Sequence, residues 1–272
     1  MTCSLANRPA IGKNPPGMHL VVLAAGYATR LYPLTLTRPK ALLEVAGKPM
    51  IEWVLDNLRP IRSIDRAVVV SNDKFASNLE EWAAPYHVRH PHPALTVLND
   101  GSTDESNRLG AIGDLGLAIT RCPIDDDLIV VASDNLFSQT LGPFEEVCNR
   151  RAAPVVALYD VGSLEAITKY NAITVDETGR ITFFEEKPRH PQSTRTAIAL
   201  YYYPKSVVPL ITKYLRDGNN PDQPGHLVQW LYTRTPFYTW ELPGIWFDVG
   251  SAETLEEANR IFEHKESQHT DG

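Results

Sequence analysis

The chain has 272 residues, of which 43% are hydrophobic, so it is long enough to bury one large core. Its 26 Lys and Arg against 33 Asp and Glu give a net charge of −7, which argues against the basic surface of a nucleic-acid-binding protein. Any phosphate groups that it binds must therefore be held by a few placed cations.

No apolar stretch approaches the roughly 20 residues that cross a bilayer. The three cysteines, Cys3, Cys122 and Cys148, have the spacing of neither a disulfide framework nor a zinc site. The sequence therefore predicts a cytoplasmic protein that binds neither nucleic acid nor a membrane. It leaves the oligomeric state open, including a homo-oligomer.

The beginning of the chain differs from the rest. Residues 1–17 are rich in proline and glycine and lack apolar periodicity, which predicts a disordered leader. Met18 directly precedes the first predicted strand, so translation starting at Met18 is the alternative interpretation. Residues 18–265 are predicted to form a single domain, and residues 266–272 a polar tail.

Short apolar runs alternate with amphipathic stretches up to about residue 153, as in βαβ units around a mostly parallel sheet. The predicted strands are 20–24, 67–71, 95–98 and 128–132, and the predicted helices are 50–58, 74–82 and 111–120. Strands dominate afterwards, at 155–159, 172–175, 181–185, 197–203, 237–241 and 245–247, with helices at 205–216, 225–233 and from Ser251 toward His264. The predicted fold class is α/β: a Rossmann-like, doubly wound, mostly parallel sheet with a strand-rich elaboration in the second half.

Small residues follow the first predicted strand, where backbone amides can approach a phosphate chain closely. The run from Leu23 to Leu31 reads LAAGYATRL and includes Arg30, and Lys40 follows ten residues later behind Pro39. Taken alone, this run is weak evidence, and a tight strand-to-helix connection is the alternative interpretation.

Two aspartates follow apolar strands. Asp134 comes just after the strand 128–132, at the edge where open α/β sheets bind ligands, and Asp248 follows a strand far downstream. For either residue alone, a turn or a helix cap is the alternative interpretation.

Five segments together resemble the signature of the sugar-1-phosphate nucleotidyltransferases, the family of the bacterial glucose-1-phosphate thymidylyl- and uridylyltransferases. They occur in the family's order and at about its spacing, and the resemblance covers essentially Met18 to Arg260. The segments are LAAGYATRLYPLTLTRPKALLEVAGKP at 23–49, Leu109-Gly110-Ala111, Ser133-Asp134-Asn135, Glu185-Glu186-Lys187-Pro188 and Trp246-Phe247-Asp248-Val249-Gly250.

The resemblance implies an enzyme that joins a nucleoside triphosphate to a phosphorylated sugar, or to a sugar-like deoxysugar or cyclitol phosphate, and releases pyrophosphate. It implies that Arg30 and Lys40 contact the triphosphate, that Lys187 holds the acceptor's phosphate, and that Asp134 and Asp248 share Mg²⁺, a cation that prefers oxygen ligands. Residues 18–153 would then bind the nucleotide and residues 154–265 the acceptor. The implied nucleotide contacts are Leu23, Ala24, Ala25, Gly26, Thr29, Asn107 and Gly110, and the implied acceptor contacts are Tyr170, Asn171, Glu186, Lys187, Ile198, Ala199 and Trp246.

The sequence departs from the family in three places. Ala28 replaces a second glycine in the first segment, so we expect a negative φ there. Tyr170-Asn171 and Ile198-Ala199 replace a Tyr-Gly and a Thr-Gly pair, which predicts a narrower acceptor pocket with one hydroxyl fewer. These changes favour a less hydroxylated or carbocyclic acceptor, and a neighbouring shift that restores the usual pocket is the alternative.

The nucleotide base stays open at this stage. No Gln precedes the Gly110 turn; Asn107 or Asn99 could replace it, and Arg108 could contact base or phosphate. A regulatory or scaffold subunit of the same fold, with weak or no turnover, is the alternative function. A dinucleotide-dependent oxidoreductase is disfavoured because residues 26–28 lack the Gly-x-Gly-x-x-Gly turn.

Overall fold

The computed structural model describes residues 17–122 and 124–269, so the leader predicted for residues 1–17 lies, apart from Gly17, outside the described residues. The strands are numbered in chain order. They are β1 (Met18–Leu23), β2 (Glu44–Val45), β3 (Lys48–Pro49), β4 (Ile64–Ser71), β5 (Ala94–Asn99), β6 (Asp127–Ala132), β7 (Asn135–Phe137), β8 (Val155–Asp160), β9 (Asn171–Val175), β10 (Ile181–Glu186), β11 (Arg195–Tyr203), β12 (Tyr238–Glu241) and β13 (Trp246–Asp248).

The helices are numbered in the same way. They are α1 (Met50–Leu58), α2 (Ala76–Arg89), α3 (Ala111–Arg121), α4 (Gly142–Arg151), α5 (Leu164–Ile167), α6 (Val208–Arg216), α7 (Pro224–Leu231) and α8 (Ala252–His269), and short 3-10 turns lie at Thr29–Leu31 and Lys40–Leu42. In the part of the chain that the structure describes, no helix is both long and apolar enough to cross a membrane.

Seven strands form the central sheet, in the order β12-β8-β11-β6-β1-β4-β5. Only β11 among them is reversed: it pairs antiparallel with β6 and β8, whereas all other neighbours in this sheet run parallel. The predicted fold class is thus confirmed. The second half contributes β8, β11 and β12 to the same sheet, while the β9–β10 hairpin forms a separate pair.

Helices cover both faces of the sheet because the buried strands are apolar on both sides. On β1, Leu20 and Val22 face one core, which α1, α2 and α4 complete. Val21 faces the opposite core, which α3, α6 and α7 complete. A third, smaller cluster lies under α8, where Phe262 packs with Met50. This double covering leaves the loops at the strand ends as the open surface of the sheet.

The predicted elements agree with the observed ones, often to within a few residues, and α1 has the predicted bounds. Five strands and helices were missed: the helices α4 and α5 and the short strands β2, β3 and β7. The last helix continues to His269, past the predicted start of a polar tail at residue 266, and residues 270–272 lie outside the described part.

Candidate functional site

The candidate site lies at the carboxyl ends of β1 and β6, which are parallel neighbours. Leu23 at the end of β1 pairs with Ala132 at the end of β6. The backbone N–H of Ser133 also donates to the Leu23 carbonyl over 3.0 Å. Because chain segments leave the two strands side by side, the small-residue run and Asp134 begin at the same point of the sheet edge, where open α/β folds bind ligands.

The small-residue run is hydrogen-bonded on its buried side and exposed on its other side. Ala24 and Ala25 are buried, and the Ala25 carbonyl accepts a 2.9 Å hydrogen bond from Asn72 Nδ2. Gly26 is exposed, and nothing in the described structure lies within 4 Å of the position that a Cβ would take there. The backbone at Gly26 is therefore accessible to a ligand, and Thr29 and Arg30 follow it on the surface.

The expectation of a negative φ at Ala28 is wrong. Ala28 has φ 49° and ψ 43°, which is the left-handed region, and it begins the 3-10 turn Thr29–Leu31. Its carbonyl accepts hydrogen bonds from the Leu31 N–H and the Thr35 hydroxyl, both over 2.9 Å. These bonds hold Ala28 in a conformation that usually belongs to glycine, so the loop keeps the shape that a glycine would give.

Lys40 and Asp134 form the charged centre of the site. Lys40 Nζ lies 2.5 Å from Asp134 Oδ2, and the two side chains are only 16% and 26% exposed. Asn135 Nδ2 donates to Asp134 Oδ1 over 3.0 Å. Burial acts to raise the pKa of Asp134, but the Lys40 ammonium and these hydrogen bonds outweigh it and hold that pKa below its ordinary value. Asp134 is thus held as a carboxylate.

Asp248 reaches the same place through a short antiparallel ribbon of β7 and β13. Asp248 pairs in register with Asn135, and the Val249 N–H donates to the Asp134 carbonyl over 3.2 Å. Burial and the Asp134 charge raise the pKa of Asp248 to about 6, although the charges of Lys40 and Arg30 act in the opposite direction. The structure therefore brings Arg30, Lys40, Asp134 and Asp248 into one electrostatic unit.

This donor set suits a hard divalent cation that is shared with a ligand. In residues 17–122 and 124–269, no group of three or more His, Cys, Asp or Glu could hold a metal ion by itself. Mg²⁺ is commonly bound by one or two carboxylates together with substrate phosphates. Two neighbouring carboxylates that repel each other, as Asp134 and Asp248 do, fit that pattern.

The turn before α3 lies beside the loop that precedes α7. Gly110 has φ 79°, and a Cβ there would lie 2.6 Å from the Pro221 carbonyl oxygen, so only glycine fits. The Ile112 N–H donates to Pro221 and the Ala111 N–H to Asp222, while Arg108 Nη2 lies 3.0 Å from Asp222. These contacts tie the predicted nucleotide half to the predicted acceptor half.

Both asparagines proposed to read a base have their side-chain amides in hydrogen bonds to neighbouring loop residues. Asn107 Oδ1 accepts from the N–H groups of Thr103 and Asp104, and its Nδ2 donates to the Thr103 hydroxyl over 2.9 Å. Asn99 Nδ2 donates to Asp73 over 2.7 Å, and its Oδ1 accepts from the Gly101 N–H. These bonds fix the orientation of both amides.

An aromatic wall lies in the part of the site that the sequence assigns to the acceptor. The Trp246 ring lies 5.3 Å from Tyr170 and 5.6 Å from Tyr159 between ring centroids. The backbone N–H of Lys187 donates to the Tyr170 carbonyl over 2.8 Å, and Lys187 itself is exposed with φ 49°. A left-handed lysine is uncommon, and such strained residues concentrate at ligand sites.

Glu186 lies half-buried at the first turn of α7. A side chain on Gly225 would overlap the Glu186 carboxylate, and the Glu186 N–H donates to Gln229 Oε1 over 3.3 Å. Burial raises the pKa of Glu186 to about 7, against the lowering effect of the Lys187 charge. This carboxyl group therefore changes its protonation state near neutral pH.

The structure corrects the argument that Asn171 narrows the acceptor pocket. Asn171 is 7% exposed, its Nδ2 donates to the Ala197 carbonyl over 2.8 Å, and its Oδ1 accepts from the Ala197 N–H over 2.7 Å. The side-chain amide thus bridges β9 to β11 through one hydrogen bond at its nitrogen and one at its oxygen. Ile198 and Ala199 pack into opposite cores, and only Ile198 lies in the core that includes Trp246.

Sequence reasoning missed three residues that shape the site. Asn72 follows β4 just as Asp134 follows β6, so its position at the sheet edge was a usable signal. Asn135 lies inside a segment already recognised, but its contacts depend on a distant tryptophan. Gly225 gives no sequence signal, because its role depends on where Glu186 folds.

A doubly wound sheet with a cationic loop and a carboxylate pair at its carboxyl edge is the arrangement of α/β proteins that handle phosphorylated ligands. The chain belongs to the nucleotidyl transferase family, whose model matches residues 19–265.

Named relatives align with most of this chain at low sequence identity. The chain is 25% identical over 243 residues to the bifunctional protein GlmU of Methanocaldococcus jannaschii, covering 89% of this chain and 54% of the relative. It is 30% identical over 239 residues to a mannose-1-phosphate guanyltransferase of Yarrowia lipolytica, covering 85% and 60%. It thus spans roughly half to three fifths of the length of these relatives.

Solved structures show the same fold. A UDP-glucose pyrophosphorylase in complex with UDP-glucose superposes with a TM-score of 0.76 at 20% identity, covering 92% of this chain and 99% of that one. A UTP-bound UGPase from Acinetobacter baumannii gives a TM-score of 0.74 at 16% identity, covering 93% and 98%.

Proposed function

We propose that the protein is a sugar-phosphate nucleotidyltransferase. It would transfer a nucleoside monophosphate from a nucleoside triphosphate to the phosphate of a sugar or sugar-like acceptor, with release of pyrophosphate. The observation that carries this proposal is the convergence of Asp134 and Asp248 at the end of β6, with Lys40 on Asp134 and the charge of Arg30 acting on Asp248. Family membership supports it independently.

The reaction brings two anions together, so its catalysis depends on position and charge. An oxygen of the acceptor's phosphate attacks the α-phosphorus, and the bond from that phosphorus to the oxygen bridging to the β-phosphorus breaks. The electron pair leaves with pyrophosphate. In this arrangement Arg30 and Lys40 would hold the triphosphate, and Lys187 would hold the acceptor's phosphate.

The open backbone around Gly26 supplies the other part of triphosphate binding. Amide N–H groups there can approach phosphate oxygens because no side chain stands in the way. Asp134 and Asp248 would hold Mg²⁺, which when bound neutralises phosphate charge and polarises the phosphoryl group under attack. Lys40, which pairs with Asp134 in this structure, would also donate to the triphosphate.

A matrix of nucleoside triphosphates against phosphorylated acceptors, read as pyrophosphate, tests the reaction and identifies the base. The base stays open, since relatives act with uridylyl, thymidylyl and guanylyl groups according to their names. Replacing Asp134 and Asp248 together by Ala should abolish pyrophosphate release, while Asp125→Ala, at a carboxylate 78% exposed elsewhere, should not. Full activity of the double variant would refute the metal site, and tight nucleotide binding without any turnover would favour a binding subunit.

The proposed acceptor is a deoxysugar or cyclitol phosphate. The choice of acceptor now depends on Ile198, which is 2% exposed in the same core cluster as Trp246, since the Asn171 side chain is bonded to β11. An isoleucine there offers no hydroxyl to a polar acceptor group. Turnover of glucose 1-phosphate and of a cyclitol phosphate should be compared at saturating nucleotide, and efficient use of glucose 1-phosphate would contradict this assignment.

We also place the reaction in the cytoplasm and divide its work between two parts of one domain. The thiol of Cys148 is buried and free, as expected of a protein from a reducing compartment. Residues 18–153 would bind the nucleotide and residues 154–265 the acceptor. Limited proteolysis in the presence of each ligand alone would test this division, because each ligand should protect mainly its own part.

A further inference from the structure

Asn135 connects two parts of the site that are far apart in sequence. Its Nδ2 donates to Asp134 Oδ1 over 3.0 Å, and its Oδ1 accepts a 2.8 Å hydrogen bond from Trp246 Nε1. Asn135 is 4% exposed and Trp246 8% exposed, so water cannot easily replace either bond. The amide thus links the proposed metal carboxylate to the aromatic wall of the acceptor side.

The chemistry of the two neighbours explains why an amide is needed. An ionised carboxylate only accepts hydrogen bonds, and an indole N–H only donates them. The bridging side chain must therefore donate on one side and accept on the other within a short reach. An aspartate at this position would turn an oxygen toward Asp134, and an alanine would leave the Trp246 N–H buried without an acceptor.

The backbone fixes this bridge in place. Asn135 begins β7 and pairs in register with Asp248, while Trp246 pairs with Phe137 in the same ribbon. Trp246 in turn packs edge-on against Tyr170, whose carbonyl holds the backbone of Lys187. A shift of the aromatic wall would therefore be transmitted to the Asp134 carboxylate through Asn135.

The geometry points to Asn135 as a positioning residue that couples acceptor seating at Trp246 to the orientation of Asp134 as a cation ligand. This inference rests on the proposed function, because it assumes that Asp134 binds a divalent cation and that Trp246 lies in the acceptor pocket. It adds a role for a residue that touches neither reacting group. Outer residues of this kind typically change metal affinity or activity by about 10–100-fold when they are removed.

Binding of Mn²⁺ alone, followed by electron paramagnetic resonance of the free ion, provides a readout that does not depend on turnover. Asn135→Ala should weaken Mn²⁺ binding by about tenfold. Trp246→Phe keeps an aromatic ring but removes the N–H, so it should weaken binding in the same direction and by less. The double variant should bind no worse than Asn135→Ala, since both changes break the same chain of bonds.

The matched control is Trp53→Phe. Trp53 also donates its indole N–H, to the Val45 carbonyl over 2.8 Å, but it packs against Phe262 under α8. This variant should leave Mn²⁺ binding unchanged, and thermal unfolding should show that all variants are folded. In steady state, Asn135→Ala and Trp246→Phe should raise the acceptor KM and lower kcat together, with the nucleotide KM little changed.

Two outcomes separate failure of this inference from failure of the proposed function. If wild-type protein binds Mn²⁺ and releases pyrophosphate, while folded Asn135→Ala and Trp246→Phe bind Mn²⁺ like wild type, the coupling is wrong and the function stands. Additive losses in the double variant would also overturn the coupling. If wild-type protein neither binds Mn²⁺ nor turns over any substrate pair, the proposed function itself fails.

Discussion

Lys40 and Asp134 stand 94 positions apart in sequence and meet in a 2.5 Å ion pair at the centre of the candidate site. The pair is mostly buried, and Asp248 adds a second carboxylate beside it. Without a bound cation, Lys40 is the main positive charge that balances these two acids.

Lys40→Met keeps the apolar stem of the side chain and removes its charge. In EDTA, it should lower the free energy of unfolding by about 1–3 kcal/mol, because Asp134 is left partly buried beside another carboxylate. Mg²⁺ should then raise the Tm of the variant more than that of wild type. Thermal unfolding with and without Mg²⁺ measures both effects.

Lys205→Met is the control, because the Lys205 ammonium lies 4.0 Å from Asp125 in a pair that is 61% and 78% exposed. It should change stability by less than about 0.5 kcal/mol, as exposed pairs do. An equal response of both variants to Mg²⁺ would show that the cation does not bind beside Lys40.

Gly225→Ala tests whether α7 positions Glu186. The new methyl group would overlap the Glu186 carboxylate, which can move away because it ends a flexible side chain. Unfolding should therefore change little, while the acceptor KM should rise about tenfold, the scale of one lost hydrogen bond to a charged group. The nucleotide KM should stay nearly constant.

Steady-state kinetics with a double variant makes this prediction specific. If Gly225→Ala acts through Glu186, adding it to Glu186→Ala should change the acceptor KM no further. Additive effects would mean that Gly225 influences the acceptor by another route.

Local pattern was sufficient for most of the fold. The apolar face of α1 and the long apolar runs of β4 and β6 are decided within the segment itself, so their positions could be predicted. The helix α4 buries only Phe144 and Cys148 among many charged residues, which leaves a weak period. The strand β7 exists because β13 pairs with it, and no three-residue pattern reveals such a partner.

For the site, too, some features could be predicted from sequence and others could not. Arg30, Lys40, Asp134 and Asp248 could be named from sequence because each follows a strand or lies in a recognised segment. The direction in which a side chain points could not be predicted from sequence. Asn171 turns to the backbone of Ala197 only because β11 runs beside β9, so its consequence for the pocket depended on tertiary structure.

Ala28→Gly should stabilise the protein. Ala28 has φ 49°, where an L-residue with a side chain is strained and glycine is not. Relief of that strain exceeds the extra entropy of glycine in the unfolded chain, for a net gain of about 0.5–1 kcal/mol by denaturant unfolding.

Ala152 provides the matched control, because it has φ 47° at the end of α4. Ala152→Gly should give a similar gain in stability with no change in nucleotide KM, whereas Ala28→Gly could alter that KM by loosening the loop. A loss of stability in both variants would show that neither alanine is strained.

Asp114 should make stability fall as the pH rises. It is 6% exposed on the first turn of α3, and its Oδ1 has no hydrogen-bond partner within residues 17–122 and 124–269. Burial, and then the neighbouring Asp100, raise the pKa of Asp114 to about 8, with Arg108 acting weakly in the opposite direction. The folded protein therefore retains a proton that the unfolded chain, with its ordinary carboxyl pKa, has already released.

Because of this difference in pKa, Asp114 stabilises the folded protein most at low pH. Below about pH 4 both states are protonated at Asp114 and its contribution to stability is fully present, and that contribution is lost as the pH rises to about 8. Asp114→Asn resembles the protonated carboxyl group and cannot ionise. The variant should therefore exceed wild type in unfolding free energy at pH 8–9 by a few kcal/mol, since each unit of pKa shift corresponds to about 1.4 kcal/mol.

Denaturant unfolding of both proteins at pH 6 and at pH 9 measures the effect, and Asp125→Asn, at an exposed carboxylate, serves as the control. The gap between Asp114→Asn and wild type should widen from pH 6 to pH 9, while the gap for Asp125→Asn should stay constant. A gap that stays constant from pH 6 to pH 9 would mean that Asp114 is already ionised in the folded protein at pH 6, with Arg108 outweighing burial and Asp100. The first turn of α3 would then carry a buried charge, and the contact of Arg108 with Asp222 would have to be weaker than the structure shows.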